Sequence, residues 1–489
     1  MQRRTFFKSA GLAAVSLAGL GSGNLLAKPA KKPNFLFLLI DDLGWKDLGC
    51  FGSEFYETPN IDALCGEGIK FTDAYAAAPV CSPTRASIMT GKYPARMDTT
   101  DWFGSPQPYK INRHWAVNKP ILTAGSKHNM PLDELTVAEA LKQNGYSTFF
   151  AGKWHLGETA DYWPEHQGFD INKGGWRLGG PYGPGKYFVP YGNPRLEDGP
   201  EGEHLPDRLA DETVKFMKEN KDKPFLAYLS FYSVHVPLVT REDLTEKYRK
   251  KRAKMGIETK WGKEGEYKAR LTQEHAVYAG MVESMDLACG KVLENLKKLG
   301  LDENTIVFLM SDNGGCSTAD PGPTSNLPLR AGKGWIYEGG IREPMIIKWP
   351  GEAEPGKVCK EPVISTDFYP TILEMAGLPA RPEQHKDGKS LVPLLKGENM
   401  DRGPIFWHYP HYSPQGGSPA SAIRENEWKL ILWYEDGRKE LFNLREDIGE
   451  KNNLADKKPE ITDRLFNKLL NWFKEVDAEM PQLNPGYKQ

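Results

Sequence analysis

From residue 34 onward, short apolar runs alternate with stretches in which apolar positions recur every three to four residues. The runs 34–40 (NFLFLLI), 147–151, 225–231, 305–310 (TIVFLM) and 345–349 are largely uninterrupted by charge, the pattern of strands covered on both faces. Helical spacing predicts helices over 136–144, 206–220, 274–299 and 366–376. Such alternation predicts an α/β fold, a large mostly parallel sheet sandwiched by helices. Between 155 and 204 the chain is rich in Gly, Pro and aromatic residues and has no period, so this long connection is expected to shape a pocket. The charged stretch 241–268 reads as a solvated helix or insertion rather than a binding surface.

Past residue 385 the texture changes. Segments 420–425, 428–434 (WKLILWY) and 439–444 read as short antiparallel strands, with Glu435-Asp436-Gly437 turning the last pair, and an amphipathic helix closes the chain over 459–476. The expected organisation is a main domain over 33–384 and a smaller α+β subdomain over 385–489. Ahead of both, a basic start (Arg3, Arg4, Lys8) precedes an Ala-, Gly- and Leu-rich run, so residues 1–27 read as an export signal. Arg3-Arg4 suits a twin-arginine signal, and a general secretory signal would read almost the same. The run is too short and Gly-interrupted for a spanning helix, so no stable membrane insertion is expected and the mature protein is expected to be periplasmic or secreted.

The 489 residues carry 63 Lys and Arg against 65 Asp and Glu, a formal charge of -2. No global field draws in nucleic acid, and attraction for an anion must be local. The six cysteines show no CxxC or CxxH spacing, so zinc-ribbon and thioredoxin-like chemistry fails.

Two acidic pairs stand out by position. Asp41-Asp42 directly follows the first strand and Asp312-Asn313 follows TIVFLM, so both can face the crevice beyond the carboxyl ends of a parallel sheet. Each pair alone could be a helix cap. Together they offer hard oxygens suited to Ca²⁺, whereas zinc would want His or Cys. The third element is Cys81-Ser82-Pro83-Thr84-Arg85, in which Pro83 suits the first turn of a helix and Cys81 its positive end. Taken alone, such a cysteine is usually a buried small hydrophobe.

The longer string CSPTRASIMTGKYPAR resembles the formylglycine-dependent (type I) sulfatases of the alkaline phosphatase superfamily, whose maturation signature is Cys-x-Pro-x-Arg. DDLGW (from Asp41), TPNIDAL (from Thr58), AGKWHLG (from Ala151), SDNGG (from Ser311) and AGKGWIYEGGIREP (from Ala331) are similar to the same family in the same order. The tail from Arg424 through Trp428 to Asn453-Leu454 resembles sulfatase C-terminal domains. The resemblance implies an arylsulfatase-like carbohydrate sulfatase, in which Asp41, Asp42, Asp312, Asn313 and modified Cys81 hold one Ca²⁺. It implies that Cys81 is converted to formylglycine (3-oxoalanine) by a formylglycine-generating or anaerobic sulfatase-maturing enzyme. Arg85 would steady that group, Lys153 and His155 would flank it, and His235 and Lys333 would contact the sulfate and its leaving oxygen.

The chemistry suits those residue types. A hydrated aldehyde offers one hydroxyl to attack sulfur and a second whose deprotonation, with His155 as base, expels sulfate. Cations offset charge on the sulfuryl oxygens. The aromatic-rich loop (Tyr162, Trp163, Trp176, Tyr182, Tyr187) suits a sugar stacked on rings, with Arg177, Lys186 and His204 able to meet further anionic groups. A sulfated glycan, galactose- or N-acetylgalactosamine-based, is therefore the expected substrate. The competing expectations are a phosphonate monoester or phosphodiester hydrolase of the same superfamily, a two-zinc phosphatase, and a glycan-binding relative in which Cys81 stays a thiol.

Overall fold

The computed structural model describes residues 31–108, 110, 113–318 and 322–488, so the export signal expected at 1–27 lies outside the described residues. The apolar runs form strands as their composition requires. β1 (Asn34–Ile40), β2 (Ile69–Tyr75), β3 (Ser147–Gly152), β4 (Ile171–Lys173), β5 (Phe225–Ser230), β6 (Thr305–Ser311), β7 (Arg342–Lys348), β8 (Val358–Cys359) and β9 (Val363–Ile364) make one nine-stranded sheet. The order is β8-β2-β7-β6-β1-β5-β3-β4, with β9 also pairing β2. β7 runs antiparallel to both neighbours and every other pairing in this sheet is parallel.

Successive side chains of β1 serve opposite faces, which is why its run is unbroken. Leu36, Leu38 and Ile40 join the core beneath α1 (Pro59–Glu67), α4 (Leu205–Glu219) and α6 (Ala276–Lys298). Phe35, Phe37 and Leu39 join the core beneath α2 (Cys81–Thr90), α3 (Val137–Lys142) and α7 (Phe368–Met375). Thr136 opens α3 through a reciprocal capping box with Glu139. The stretch 241–268 becomes α5 (Glu242–Met255) followed by a hairpin, Trp261–Glu264 with Tyr267–Arg270. Among the described residues no helix is long and apolar enough to cross a membrane.

Among the described strands of five or more residues, two lie outside the runs expected from the sequence. β2 (IKFTDAY) carries Lys70, Thr72 and Asp73 at half-buried positions, where Lys70 donates to Cys50 O and Asp73 pairs with both Arg342 and Arg424. The other is β10 (Ile405–Tyr409), which pairs antiparallel with β11 (Ala420–Glu425); β12 (Trp428–Trp433) and β13 (Lys439–Asn443) complete a four-stranded sheet in that order. α8 (Pro459–Val476) covers it through Leu465, Leu469, Trp472 and Phe473, with Trp472 stacked on Phe406 at 4.8 Å.

Lys429 of β12 ties this sheet to the loop that carries site residues. Wholly buried, its Nζ donates to Ile336 O (2.9 Å) and to Glu338 Oε1 (2.9 Å), and lies 2.9 Å from Glu450 Oε1. Two buried carboxylates thus share one ammonium. Burial drives Glu450 up to about 7 against the pull of Lys429, and Glu338 adds to the rise. Glu338 feels the same burial but is held at about 2 by Lys429 and Arg342. The unfolded chain releases the Glu450 proton near its ordinary value of about 4.3, so folding stability should fall as pH rises from there to 7. Urea unfolding at pH 5 and pH 7.5 should show this loss in the wild type and a smaller loss in Glu450→Gln. Equal losses in both proteins would refute the assignment.

Candidate active site

Four adjacent parallel strands, in the order β6-β1-β5-β3, release their chains at one edge of the sheet. β6 delivers Asp312 and Asn313, β1 delivers Asp41 and Asp42, β5 leads to His235, and β3 leads to Lys153 and His155. Because β7 is antiparallel, the loop before it brings Lys333 to the same edge. All of these residues are buried, with Asp41, Lys153, Asp312 and Asn313 at 0% exposure.

Neighbouring residues of an extended strand point apart, so Asp41 and Asp42 could not both face one site if β1 simply continued. Asp42 breaks the alternation by adopting φ 61°. Its backbone N–H then donates to Asp312 Oδ1 at 3.2 Å, joining the two acidic pairs. His155 takes a similar left-handed turn, φ 56°, after the strand end. Gly179 packs directly on that ring; a Cβ there would sit 2.5 Å from His155 Cε1.

Cys81 is the first residue of α2, whose ten residues are all buried, and Val80 before it caps nothing with its side chain. The positive end of the helix therefore lies at the thiol. Cys81 Sγ is 3.3 Å from His155 Nδ1, and His155 Nε2 is 3.0 Å from Phe103 O. A carbonyl only accepts, so Nε2 carries the ring proton and Nδ1 presents its lone pair to position 81. Burial, reinforced by Lys153 and Arg85, holds the imidazole well below its ordinary value and keeps it a neutral base.

One turn along α2, Arg85 is gripped on every side. Its Nε donates to Asp312 Oδ2 (2.7 Å), while Nη1 donates to Lys153 O (2.7 Å) and Ser230 Oγ (2.6 Å). Lys153 Nζ donates to Asp41 Oδ2 at 2.7 Å and Lys333 Nζ to Asp42 Oδ2 at 2.8 Å. Three carboxylates are thus matched by three cations. Asn313 Nδ2 donates to Asp42 Oδ1 at 2.8 Å. His235 donates from Nδ1 to Val236 O (2.7 Å) and turns Nε2 toward Asp42 Oδ2 at 3.7 Å.

The carboxylates do not titrate alike. Burial raises Asp41 well above its usual range, with Lys153 only partly offsetting it and Asp312 adding to the rise. At Asp42 burial is outweighed by Lys333 and His235, and at Asp312 by Arg85 and Lys153, so both stay ionised. Asp41 Oδ1 and Asn313 Oδ1 are buried acceptors with no donor among the described residues. Asp41, Asp42 and His235 also bring one ligating atom each within 4.8 Å of one another. Crowded carboxylate oxygens with two acceptors left unfilled fit a hard divalent cation, Ca²⁺ above zinc.

Above these groups lies a cavity of about 480 Å³, lined by Cys81, His155, His235 and Lys333 at its floor. Trp102, Phe103, Tyr182, Arg113, Arg177 and Gln415 form its walls and rim. Such a space exceeds a sulfate ion and admits a sugar ring with its substituents.

A sequence model of the family described as Sulfatase matches residues 33–378. The chain belongs to the sulfatase family. A second model, N-sulphoglucosamine sulphohydrolase, C-terminal, matches residues 331–476. Among curated relatives, a sulfatase of Formosa agariphila is 33% identical over 92% of this chain and 90% of its own length. The N-acetylgalactosamine-6-sulfatase of Canis lupus familiaris is 31% identical over 86% of this chain and 75% of its own. The solved structure of Ps i-CgsB in complex with k-i-k-neocarrahexaose superposes with a TM-score of 0.73, at 32% identity, covering 90% of this chain and 93% of that one. The sulfatase is a sulfuric ester hydrolase, with the mostly parallel large sheet and the small antiparallel C-terminal sheet expected from its sequence.

Within the sulfatase, Asp41, Asp42, Cys81, Arg85, Lys153, His155, His235, Asp312, Asn313 and Lys333 converge on one place. Of the further candidates for substrate contact, Arg177 and Tyr182 line the cavity, whereas Tyr162, Trp163, Trp176, Lys186, Tyr187 and His204 do not. Trp176 borders a separate cleft with Asn193 and Pro194, and reaches the site only through its carbonyl, which accepts from His155 N at 3.2 Å. His204 is 4% exposed, packed on Phe188 at 4.7 Å between ring centroids and 3.8 Å from Asp207, so it is not part of the cavity lining. Tyr187 is likewise buried, donating to Tyr232 O and His235 O at 2.7 and 2.8 Å, and supports the turn rather than a ligand. Sequence reasoning missed Ser230, Phe103 and Arg113. The first two act through a hydroxyl behind Arg85 and a backbone carbonyl, neither of which leaves a motif.

Proposed function

We propose that this sulfatase releases inorganic sulfate from a sulfated carbohydrate of galactose or N-acetylgalactosamine type, using one Ca²⁺ and a formylglycine made from Cys81. The observation that carries the reading is the thiol at position 81, at the positive end of a buried helix, facing a neutral His155 Nδ1 beside three acid–cation pairs. Relatives whose names or titles mention N-acetylgalactosamine-6-sulfate chemistry or a bound neocarrahexaose support the carbohydrate class. In this reading residues 1–27 direct export, a maturation enzyme oxidises Cys81, residues 33–384 are the catalytic unit and 385–489 the C-terminal subdomain.

Asp41, Asp42, Asp312 and Asn313 would hold the Ca²⁺, with the side chain at 81 completing the set. When bound, the ion would supply Lewis-acid charge to offset the negative sulfate oxygens. Formylglycine at position 81 would, as its hydrate, supply the pair of geminal hydroxyls that sulfate-ester chemistry needs and a thiol lacks. The remaining work falls to this chain's own side chains. Arg85, held by Asp312, Ser230 Oγ and Lys153 O, keeps a fixed positive charge beside position 81. Lys153 and Lys333, each now on a carboxylate, are the cations placed to meet sulfuryl oxygens when that carboxylate takes a metal instead. His155 Nδ1 accepts a proton from the group at 81, and its Nε2–H on Phe103 O fixes the tautomer for that duty. Lys333, at the cavity, carries the proton that the leaving oxygen needs; His235, its ring proton on Val236 O and its pKa lowered to about 3 by burial and Lys333, would relay that proton only once Nε2 has taken it up.

An alkoxide of a sugar leaves poorly, so that proton matters most for sugar sulfates. Lys333→Ala and His235→Ala should each lower kcat on a sulfated sugar on the order of 10²–10⁴-fold. The loss on an aryl sulfate, whose phenolate leaves easily, should be smaller. Equal losses on both substrates would remove these residues from leaving-group protonation. Assay of defined sulfated mono- and oligosaccharides against an aryl sulfate and an aryl phosphodiester tests the reading as a whole; faster turnover of the phosphodiester than of every sulfate defeats it.

A further inference from the structure

A second cavity of about 450 Å³ lies on the far side of a thin wall from the first. The turn 413–417 is that wall. Ser413 N donates to Gly417 O at 2.8 Å to close it; Ser413 faces the second cavity, while Pro414 and Gln415 face the first. The loop behind it divides in the same way, with Lys333 lining the first cavity and Trp335 the second. Trp335 Nε1 donates to Gln415 O at 2.9 Å, tying loop and turn together. No added atom fits between them, since a Cβ on Gly417 would fall 1.7 Å from Gly334 O.

The lining of this second cavity differs from that of the first. Its charged side chains are four glutamates against three cations, and most are already paired. Arg330 donates from Nε and Nη2 to both oxygens of Glu264 and lies 3.8 Å over the Tyr337 ring. Arg438 Nε lies 3.3 Å from Glu440, and Tyr412 O–H donates to Glu435 at 2.9 Å. Half-buried aromatic surface comes from Trp115 and Tyr267. Near-balanced carboxylate and guanidinium groups offer both acceptors and donors to vicinal hydroxyls, and ring faces suit the apolar side of a pyranose. The slight acidic excess disfavours a sulfated ring.

We propose that this cavity is a subsite for an unsulfated sugar of the same glycan whose sulfated residue occupies the first cavity, so that the enzyme grips a chain rather than a single sugar. This rests on the carbohydrate reading of the active site. An enzyme of this kind acts on a substrate with at least one neutral residue near the sulfated one.

Two measurements on the full chain test it separately. Calorimetry with the neutral hexasaccharides of agarose, cellulose and chitin should find at least one that binds with a Kd below about 1 mM. Trp115→Ala and Arg438→Ala, both at partly exposed positions and checked by thermal melting, should each weaken that binding about tenfold. The same variants should raise KM for a sulfated oligosaccharide by a similar factor, leave its kcat unchanged, and leave aryl sulfate turnover within about twofold. The proposal is overturned if no hexasaccharide binds, if binding or oligosaccharide KM is unchanged in both variants, or if aryl sulfate turnover falls in parallel. Failure of the carbohydrate reading would show differently, as aryl sulfate turnover with no sulfate released from any glycan, and the calorimetry on neutral sugars would still decide the subsite.

Discussion

Cys81→Ala and Cys81→Ser should fold normally and release sulfate at least about 10⁴-fold more slowly than the wild type, because a nucleophile removed from a concerted site costs nearly the whole chemical step. The folding half follows from packing. Cys81 is 4% exposed and, among the described residues, its side chain's one polar contact is with His155, so a smaller side chain leaves no buried charge unpaired. The catalytic half follows from chemistry, since serine has no second hydroxyl with which to expel the sulfate. Thermal melting together with sulfate release measures both. Near-normal turnover by either variant would dismiss the nucleophile, and intact mass of the wild type gives an independent check, because conversion of thiol to aldehyde lowers it.

Chelation should abolish activity and leave the protein folded, and Ca²⁺ should restore the rate where Zn²⁺ does not. The acidic site does not collapse on losing a cation, because Lys153, Lys333 and Arg85 already neutralise Asp41, Asp42 and Asp312. A resident ion should nevertheless raise the unfolding free energy, by about 4 kcal/mol at a concentration a thousandfold above its Kd. Calorimetric unfolding with and without Ca²⁺, alongside the rate, reads both effects. Full activity in thoroughly chelated protein, with no Ca²⁺ found by metal analysis, would end the calcium assignment.

Much of this geometry was legible in the sequence because it is tied to the ends of buried parallel strands. NFLFLLI and TIVFLM announce such strands unaided, and the residues that follow them must emerge at one edge, so Asp41, Asp42, Asp312 and Asn313 could be grouped without coordinates. The closing helix Pro459–Val476 carries its own amphipathic period. β2 was hidden because its polar residues answer to partners elsewhere in the chain, Asp73 to Arg342 almost 270 residues away, which no local period encodes. Cys81 and Lys333 were legible only through their motifs; neither lies on an element whose pattern predicts its direction. The aromatic loop misled for a related reason. Aromatic residues in an aperiodic stretch can brace a turn from below, as Tyr187 does, or line its open side, as Tyr182 does, and composition is the same either way.

The ends of β3 and β5 meet with no room to spare. Gly152 (φ 99°) lies so close to Ser230 that a methyl group would stand 1.8 Å from its carbonyl oxygen. The guanidinium of Arg85 bridges the same two strands through Lys153 O and Ser230 Oγ. A glycine with no functional group of its own therefore sets the aperture of the catalytic frame. An inherited or engineered change at that position would look innocuous in any tally of reactive side chains, yet would pry apart the backbone on which the charged machinery is mounted.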